Sequence, residues 1–473
     1  MVVSPWYWRS LPLHQRTGSQ VFDILFRNSS QIATLLESPF PTPPTQPQLS
    51  RYSICAGAPR LREGKLQLWT PSVGNIFPHL RSLLHNHSHQ PIDDSQNFNS
   101  LPIHLPFLGG WLGWLGYDTA REIENLPIPP IDPLPFPVAY WYEPANFAVL
   151  DHLDQVLWLA SSQPQELDNL QNQLEVGKPG IENSATLLLS CVPRHPHLET
   201  SQMDYEAAVR QVKKYIYSGD IFQANLSVRF HTSTDSDSWT IYQALQKINP
   251  SPFASYWQTP WGVMISCSPE RLVSLQGNIA QTRPIAGTRA RGTNQEMEQR
   301  LAQELLNNTK ERAEHIMLVD LERNDLGKVC QWGSIQVDEL LTIERYSHVM
   351  HLVSNVTGIL RDNYDAIDLI KALFPGGTIT GCPKVRCMEI IAELEPVGRN
   401  LFYGSCGYLD QRGNLDLNIL IRTLLYTRNH RSLVTVWGQV GAGIVADSDP
   451  EREWYESLQK AEAQLAALKA IQA

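Results

Sequence analysis

The chain has 473 residues, 42% of them hydrophobic and 18% charged, which is enough for a large core and, at about 150 residues per domain, for two or three domains or one composite fold. Lys and Arg number 38 against 48 Asp and Glu, a net charge of −10. Nucleic-acid backbones and anionic membrane surfaces select clustered positive charge, so this balance argues against both as partners, and an anionic small substrate would need a local cationic feature or a metal ion.

From the N-terminus, MVVSPWYWRSLPLHQ has no basic stretch followed by an apolar one, so no secretory signal is expected. Cys55, Cys191, Cys267, Cys330, Cys382, Cys387 and Cys406 include no C-x-x-C pair, the pattern of a reduced, cytoplasmic protein. Pro39–Pro47 and Pro127–Pro137 remove backbone donors and predict extended surface loops. Between them His85, His87 and His89 alternate in a polar stretch and read as incidental histidines rather than ligands. The apolar window Pro106–Gly116 has only 11 residues, too few to span a bilayer. Gln163–Ser201, rich in Gln, Asn and Pro, predicts a third irregular connection.

After residue 202 the texture changes. Met203–Ser218 carries apolar residues at helical spacing and stops at Gly219. Ile221–Phe230 alternates with period two, which puts Gln223 and Asn225 on one side of a strand. Gly262–Cys267, Gly404–Asp410, Leu417–Leu425 and Ser432–Trp437 are further candidate strands. Many strands with few β-α-β alternations predict an α+β fold of layered sheets with flanking helices.

A single helix is expected over Leu301–Leu326, with Glu311 and Glu314 on one face. A C-terminal helix begins after Asp449-Pro450 and presents Glu453, Glu456 and Lys460 on one face. Two acidic pairs of this kind suit a hard cation such as Mg2+, although on spacing alone a solvated helix surface is the commoner reading. The turn Phe374–Lys384 precedes a helix and favours an anion at its start, but Cys382 follows Gly381 where a Walker motif needs lysine. Gly438, Gly441 and Gly443 read either as a tight bend or as a close approach to a ligand. His351, among apolar neighbours, reads as a hydrogen-bonded core histidine. No cysteine stands in a nucleophile turn, so no intrinsic glutaminase is expected.

Taken together, GDIFQANLS (219–227), SPERL (268–272), RPIAGTRARG (283–292), KERAEHIMLVDLERNDLG (310–327), FPGGTITGCPKVRCMEII (374–391), YGSCGYLD (403–410), LNILIRTL (417–424) and GAGIVADSDPEREWYESLQK (441–460) resemble component I of the chorismate-utilising enzymes, the family of anthranilate synthase and aminodeoxychorismate synthase. The resemblance implies a large two-sheet sandwich with the active site between the sheets, Mg2+ dependence, and a glutamine amidotransferase subunit that delivers ammonia. It divides the chain into an N-terminal portion, 1–200, and a chorismate-binding catalytic portion, 201–473.

By the same resemblance Glu314 and Glu456 are metal ligands, with Glu311 and Glu453 beside them, and Glu270 is the general acid that helps the ring hydroxyl leave. His351, counted with Glu270 and Gln223 among the catalytic residues, and Thr380 line the ring, and Ala286, Gly287 and Thr288 bind the substrate. Tyr403, Arg422, Gly441, Gly443 and Lys460 hold the substrate carboxylates. Gln223 occupies the position of the lysine base of water-adding isochorismate and salicylate synthases, which favours amination. Ala286 stands where many aminodeoxychorismate synthases carry a nucleophilic lysine and so resembles anthranilate synthase. FPGG, SPER, QANLS and DLNI resemble the aminodeoxychorismate branch, and on these four positions the expected product is 4-amino-4-deoxychorismate, with anthranilate as the alternative. Leu36, Glu37 and Ser38, with Asn249, Pro250 and Ser251, resemble the family's tryptophan pocket.

Overall fold

Strands from both ends of the chain lie side by side in two antiparallel sheets. The computed structural model describes residues 6–38, 50–88, 104–177, 196–345, 349–428 and 433–470; the first proline-rich stretch, Cys191, His89 and the His87 side chain fall outside that description. Among the described residues one sheet has 12 strands and the other 10. The first runs from Tyr7–Pro12 at one edge, through Ala33–Glu37 and Phe253–Thr259, to Val434–Ile444 and Gln223–Thr234. The second runs from Ile285–Ala290, through Val349–Ile359 and Ser405–Asp410, to Gly110–Leu115 and its neighbours. Residues before and after position 200 therefore share both sheets, meeting where Leu36 pairs with Ser255 and where Trp114 pairs with Cys406. No described helix is long and apolar enough to cross a membrane.

The largest core fills the space between the sheets. Trp114 packs its ring 5.8 Å from Trp257 of the opposite sheet and 4.5 Å from Tyr140. The apolar window of the sequence is a central strand here, Gly110–Leu115, buried at every residue. Gly113 is required because a Cβ there would stand 2.2 Å from the Tyr140 carbonyl oxygen.

Three expectations are corrected. Within Gln163–Ser201, Pro164–Val176 is a helix that buries Leu167, Leu170 and Leu174; its Gln- and Asn-rich outer face hid a narrow apolar stripe. The helix expected over Leu301–Leu326 is two, Gln295–Asn307 and Thr309–Gly327, because Asn308 turns extended and its side chain accepts from the Glu311 amide at 3.0 Å. Leu417–Leu425 is not one strand: Leu415–Asn418 belongs to one sheet and Thr423–Arg428 to the other. Residues 419–422 cross between them, and Arg422 has φ +53°, which no strand tolerates.

Helices Gln202–Tyr217, Lys384–Leu394 and Pro450–Lys460 cover the outer face of the Gln223–Thr234 and Val434–Ile444 strands, with Val209, Cys387 and Trp454 packed on Leu226 and Ala442. Where the second of these helices ends, Arg399 is buried and donates to both oxygens of Glu395 at 2.7 and 2.8 Å. It also donates to the carbonyls of Ile379 and Asn225, each at 2.8 Å. Its guanidinium lies 4.7 Å from the Tyr117 ring and 4.6 Å from that of Tyr403. Glu395 in turn accepts from the Ser227 amide and hydroxyl. Arg399→Met, which strands a buried carboxylate, is expected to cost about 3–5 kcal/mol in denaturant unfolding, and a loss below about 1 kcal/mol would show that the pair is not a structural anchor.

Candidate active site

The 419–422 crossover draws distant segments to one place. Ile419 donates its amide to the Glu270 carbonyl at 3.0 Å, Leu420 exchanges backbone bonds with Tyr403 and Gly404, and the Arg422 carbonyl accepts from Cys267. Tyr403 and Arg422 are two of only eight described non-glycine residues with positive φ, at +64° and +53°. Such backbone costs about 1–3 kcal/mol and is held only where the surroundings over-determine it, commonly at functional sites. Arg422 spends one nitrogen on the Lys460 carbonyl at 2.5 Å and meets no carboxylate among the described residues. Burial lowers its pKa, so the guanidinium favours an anion beside it.

His351 lies close by. Its Nδ1 is 3.0 Å from the Thr288 hydroxyl, and burial, with some help from Arg422, pulls its pKa down to about 4, so the ring is neutral at pH 7. The pairing of the Ile285–Ala290 strand with Val349–Ile359 shifts register between Ala286 and Thr288. Gly287 fills this bulge at φ +66°, and a Cβ on it would stand 2.4 Å from Glu311 Oε2. Ala286 is buried against the same strand. Thr380 is buried and donates its hydroxyl to the Gly376 carbonyl at 2.8 Å, so it shapes the wall through its methyl and backbone.

On the other side, strand Val434–Ile444 presents Gly441 and Gly443 toward a row of polar groups. A Cβ on Gly441 would stand 2.9 Å from both Asn225 Oδ1 and Tyr403 Oη; one on Gly443 would stand 2.2 Å from Gln223 Nε2. Gln223 donates to Glu314 Oε1 at 3.1 Å. The Gln223 Oε1, Asn225 Oδ1, Tyr403 Oη and Glu311 Oε2 atoms are buried and lack hydrogen-bond partners. Three of these orphaned atoms surround Gly441 and Gly443 and the fourth lies against Gly287, leaving polar surfaces that a polar ligand can complete.

The four glutamates differ. Burial, reinforced by the Glu456 charge, raises the pKa of Glu314 despite Gln223 and nearby Lys460 and Lys310. Glu453 is buried, accepts from Ser448 Oγ at 2.6 Å, and is likewise raised by burial. Glu456 is exposed and pairs with Lys460 at 2.9 Å, while Glu311 pairs with Arg289 at 2.7 Å. Lys460 also donates to the Gly441 carbonyl at 3.1 Å. No three of the four close into a ready-made cage. Glu314 and Glu456, near enough for the charge of one to raise the pKa of the other, are nevertheless the kind of carboxylate pair that Mg2+ takes together with water and ligand oxygens.

Glu270 sits at the base. Burial pushes its carboxyl up to about 8, and the neighbouring Glu322 charge adds to the shift. Glu322 is itself buried and raised to about 7, and it accepts from the Thr282 hydroxyl at 3.1 Å. Glu270 is therefore a protonated acid at neutral pH. Asn225, Arg289, Glu322 and Arg399 carry no site role in the sequence reading. Asn225 is marked there only by the alternation it shares with Gln223, Arg289 and Glu322 only by lying within the family-like motifs, and Arg399 by nothing.

Of the remaining residues, Glu37 lies on the strand that pairs with Phe253–Thr259. It accepts from the Ser19 amide at 2.9 Å and Ser19 hydroxyl, from Tyr242 at 2.6 Å and from Gln246 at 2.7 Å, and burial raises its pKa. Leu36 and Ser38 flank it, half-buried. Asn249 donates to the Cys267 carbonyl at 3.2 Å, Ser251 is buried and donates to the Asn249 carbonyl, and Pro250 lies between them.

Two open antiparallel sheets thus bring together strained arginine and tyrosine residues, orphaned polar atoms and a buried acid, groups whose chemistry suits a polar anion. Residues 63–466 match the family described as chorismate binding enzyme, and the chain belongs to that family. It is 60% identical over 479 residues to an anthranilate synthase component I-like protein of Synechocystis sp., covering 100% of this chain and 93% of that one. It is 46% identical over 375 residues to aminodeoxychorismate synthase component 1 of Bacillus subtilis, covering 77% of each. The solved anthranilate synthase component I of Streptococcus pneumoniae superposes with a TM-score of 0.73 at 31% identity, over 88% of this chain and 92% of that one.

Glu322→Gln removes the like charge beside Glu270 and is expected to lower the midpoint at which Glu270 ionises from about 8. Carbon-13 NMR titration of the labelled carboxyl would detect this, and an unchanged midpoint would show that desolvation alone sets it.

Proposed function

We propose that this chain catalyses Mg2+-dependent amination of chorismate to 4-amino-4-deoxychorismate, with ammonia supplied by a glutamine amidotransferase subunit. The observation that carries the reading is the neutral amide of Gln223, hydrogen-bonded to Glu314 at 3.1 Å, facing a cleft whose acid, Glu270, is protonated at pH 7. An amide does not take a proton from water, so the site is not equipped to make hydroxide; ammonia is already a nucleophile and needs no base.

Arg422 and Lys460 supply positive charge for the substrate carboxylates, with the Tyr403 hydroxyl and the glycine-lined strand at Gly441 and Gly443 as hydrogen-bonding groups. Neutral His351, held by Thr288, and the Ala286–Thr288 bulge shape the ring side together with Thr380. Glu314 and Glu456 would hold Mg2+, with Glu311 and Glu453 beside them, and the ion would supply further positive charge to a substrate carboxylate. Glu270 gives its proton to the departing ring hydroxyl, which leaves as water. Ammonia bonds to C4, and the proton it sheds restores the acid. The name of the Bacillus subtilis relative supports this product.

Anthranilate is the second reading. Ala286 places a buried methyl where a covalent lysine mechanism needs an amine, and the Synechocystis relative carries an anthranilate synthase name. Leu36, Glu37, Ser38, Asn249, Pro250 and Ser251 form a tryptophan pocket in a structural role, since protein donors already fill the Glu37 carboxylate.

Pure protein given chorismate, Mg2+ and excess ammonium is expected to yield a non-aromatic amine that retains the enolpyruvyl group; fluorescent anthranilate with pyruvate would establish the second reading instead. Because the Glu270 pKa is raised, its acid form is present below about pH 8 and is lost above it. kcat/KM should therefore fall on the alkaline side of about 8. Glu270→Gln should lower kcat about 10²–10⁴-fold, and a variant within about threefold of the parent would remove Glu270 from the chemistry.

A further inference from the structure

At the far edge of the 12-stranded sheet, the short strand His197–Leu198 pairs with the distal half of Gln223–Thr234. His197 lies opposite His231, and the Glu199 amide donates to the Arg229 carbonyl at 2.9 Å, so the extended pairing continues past the strand end. Residues two apart leave one side of an extended chain, and directly opposed residues share that side. His197, Glu199 and His231 therefore converge, each with one ligand atom within 4.8 Å of the other two. His231 Nδ1 is 2.8 Å from Glu199 Oε1, and the two imidazoles lie 4.8 Å apart, tilted by 32°. The His231 ring is fixed from behind by Trp437, whose centroid is 4.6 Å away.

We infer that His197, Glu199 and His231 form a binding site for a divalent cation of the Zn2+ class, separate from the chorismate cleft. Two imidazoles and a carboxylate are ligands that borderline metals take and that Mg2+ does not prefer. The rival account is a lone Glu199–His231 ion pair with His197 as a bystander. It leaves unexplained why a second imidazole lies 4.8 Å from the first with a ligand atom turned to the same point. Eight residues of strand separate His231 from Gln223, about 26 Å, so the ion plays no part in the amination chemistry. Its effect is to clip the entry into the catalytic portion onto a sheet edge that only two residues pair as a strand.

Calorimetric titration of the chelator-treated full chain with Zn2+, in saturating Mg2+, tests this. One Zn2+ per chain is expected, with a rise in Tm. His197→Ala and His231→Gln should each weaken binding at least tenfold and abolish the Tm rise, with far-UV circular dichroism unchanged. Glu314→Gln and Glu456→Gln should leave the zinc titration as in the parent. Absence of zinc binding overturns the inference. So does binding that survives the His197→Ala, His231→Gln double variant, since the ion then sits on thiols or elsewhere, and so does binding lost in the Glu314 or Glu456 variants.

Discussion

The buried guanidinium of Arg399 holds the cleft in shape. An ion pair taken out of water is tolerated only when geometry and supplementary hydrogen bonds meet nearly every donor and acceptor. Here Glu395, two backbone carbonyls and two tyrosine rings do so. Those partners come from the N-terminal portion (Tyr117), the first strand of the cleft (Asn225), the glycine-rich turn (Ile379) and the candidate ligand wall (Tyr403). Shifting any one of them leaves a charge unsatisfied. The pair thus ties the position of the wall to the integrity of the fold.

That anchoring explains how the site keeps an unfavourable backbone. Tyr403 and Arg422 both have positive φ; Arg422 ends the crossover from one sheet to the other, and Tyr403 donates its amide to Leu420 within it. Stacking by Arg399 and backbone bonds across the crossover hold Tyr403, while Lys460 and Cys267 hold Arg422. Arg422 lies near enough to His351 and Tyr403 for its charge to act on both. Burial then keeps His351 neutral and Glu270 protonated, two opposite responses to one cause, because loss of water penalises whichever form is charged.

The acidic chain and its anionic ligand class are reconciled locally. Glu311 is neutralised by Arg289 and Glu456 by Lys460, whereas Glu314 and Glu453 keep raised affinities for a proton that a cation can replace. The net charge of −10 is thus no obstacle to binding an anion, since the sign of the field in the cleft depends on which carboxylates are already paired.

The alternation over 221–230 and the caps at Asp449 and Gly219 determined by themselves a many-stranded α+β protein, with Gln223 and Asn225 on one strand side and Glu453, Glu456 and Lys460 on one helix face, because period and cap chemistry are local properties; Glu270, Tyr403 and Arg422 came only with the family resemblance. Where an amphipathic stripe was only three leucines wide, as in Pro164–Val176, or where one asparagine both ended and began a helix, as at Asn308, local pattern misled. The break at 419–422 was invisible because an apolar run looks the same whether it stays in one sheet or leaves it. Only the tertiary structure decided that strands from both halves share both sheets, that Arg399 joins them, and that Glu322 lies beside Glu270. Each of these depends on contacts between residues far apart in the chain, and on a loss of water that no single segment can bring about alone.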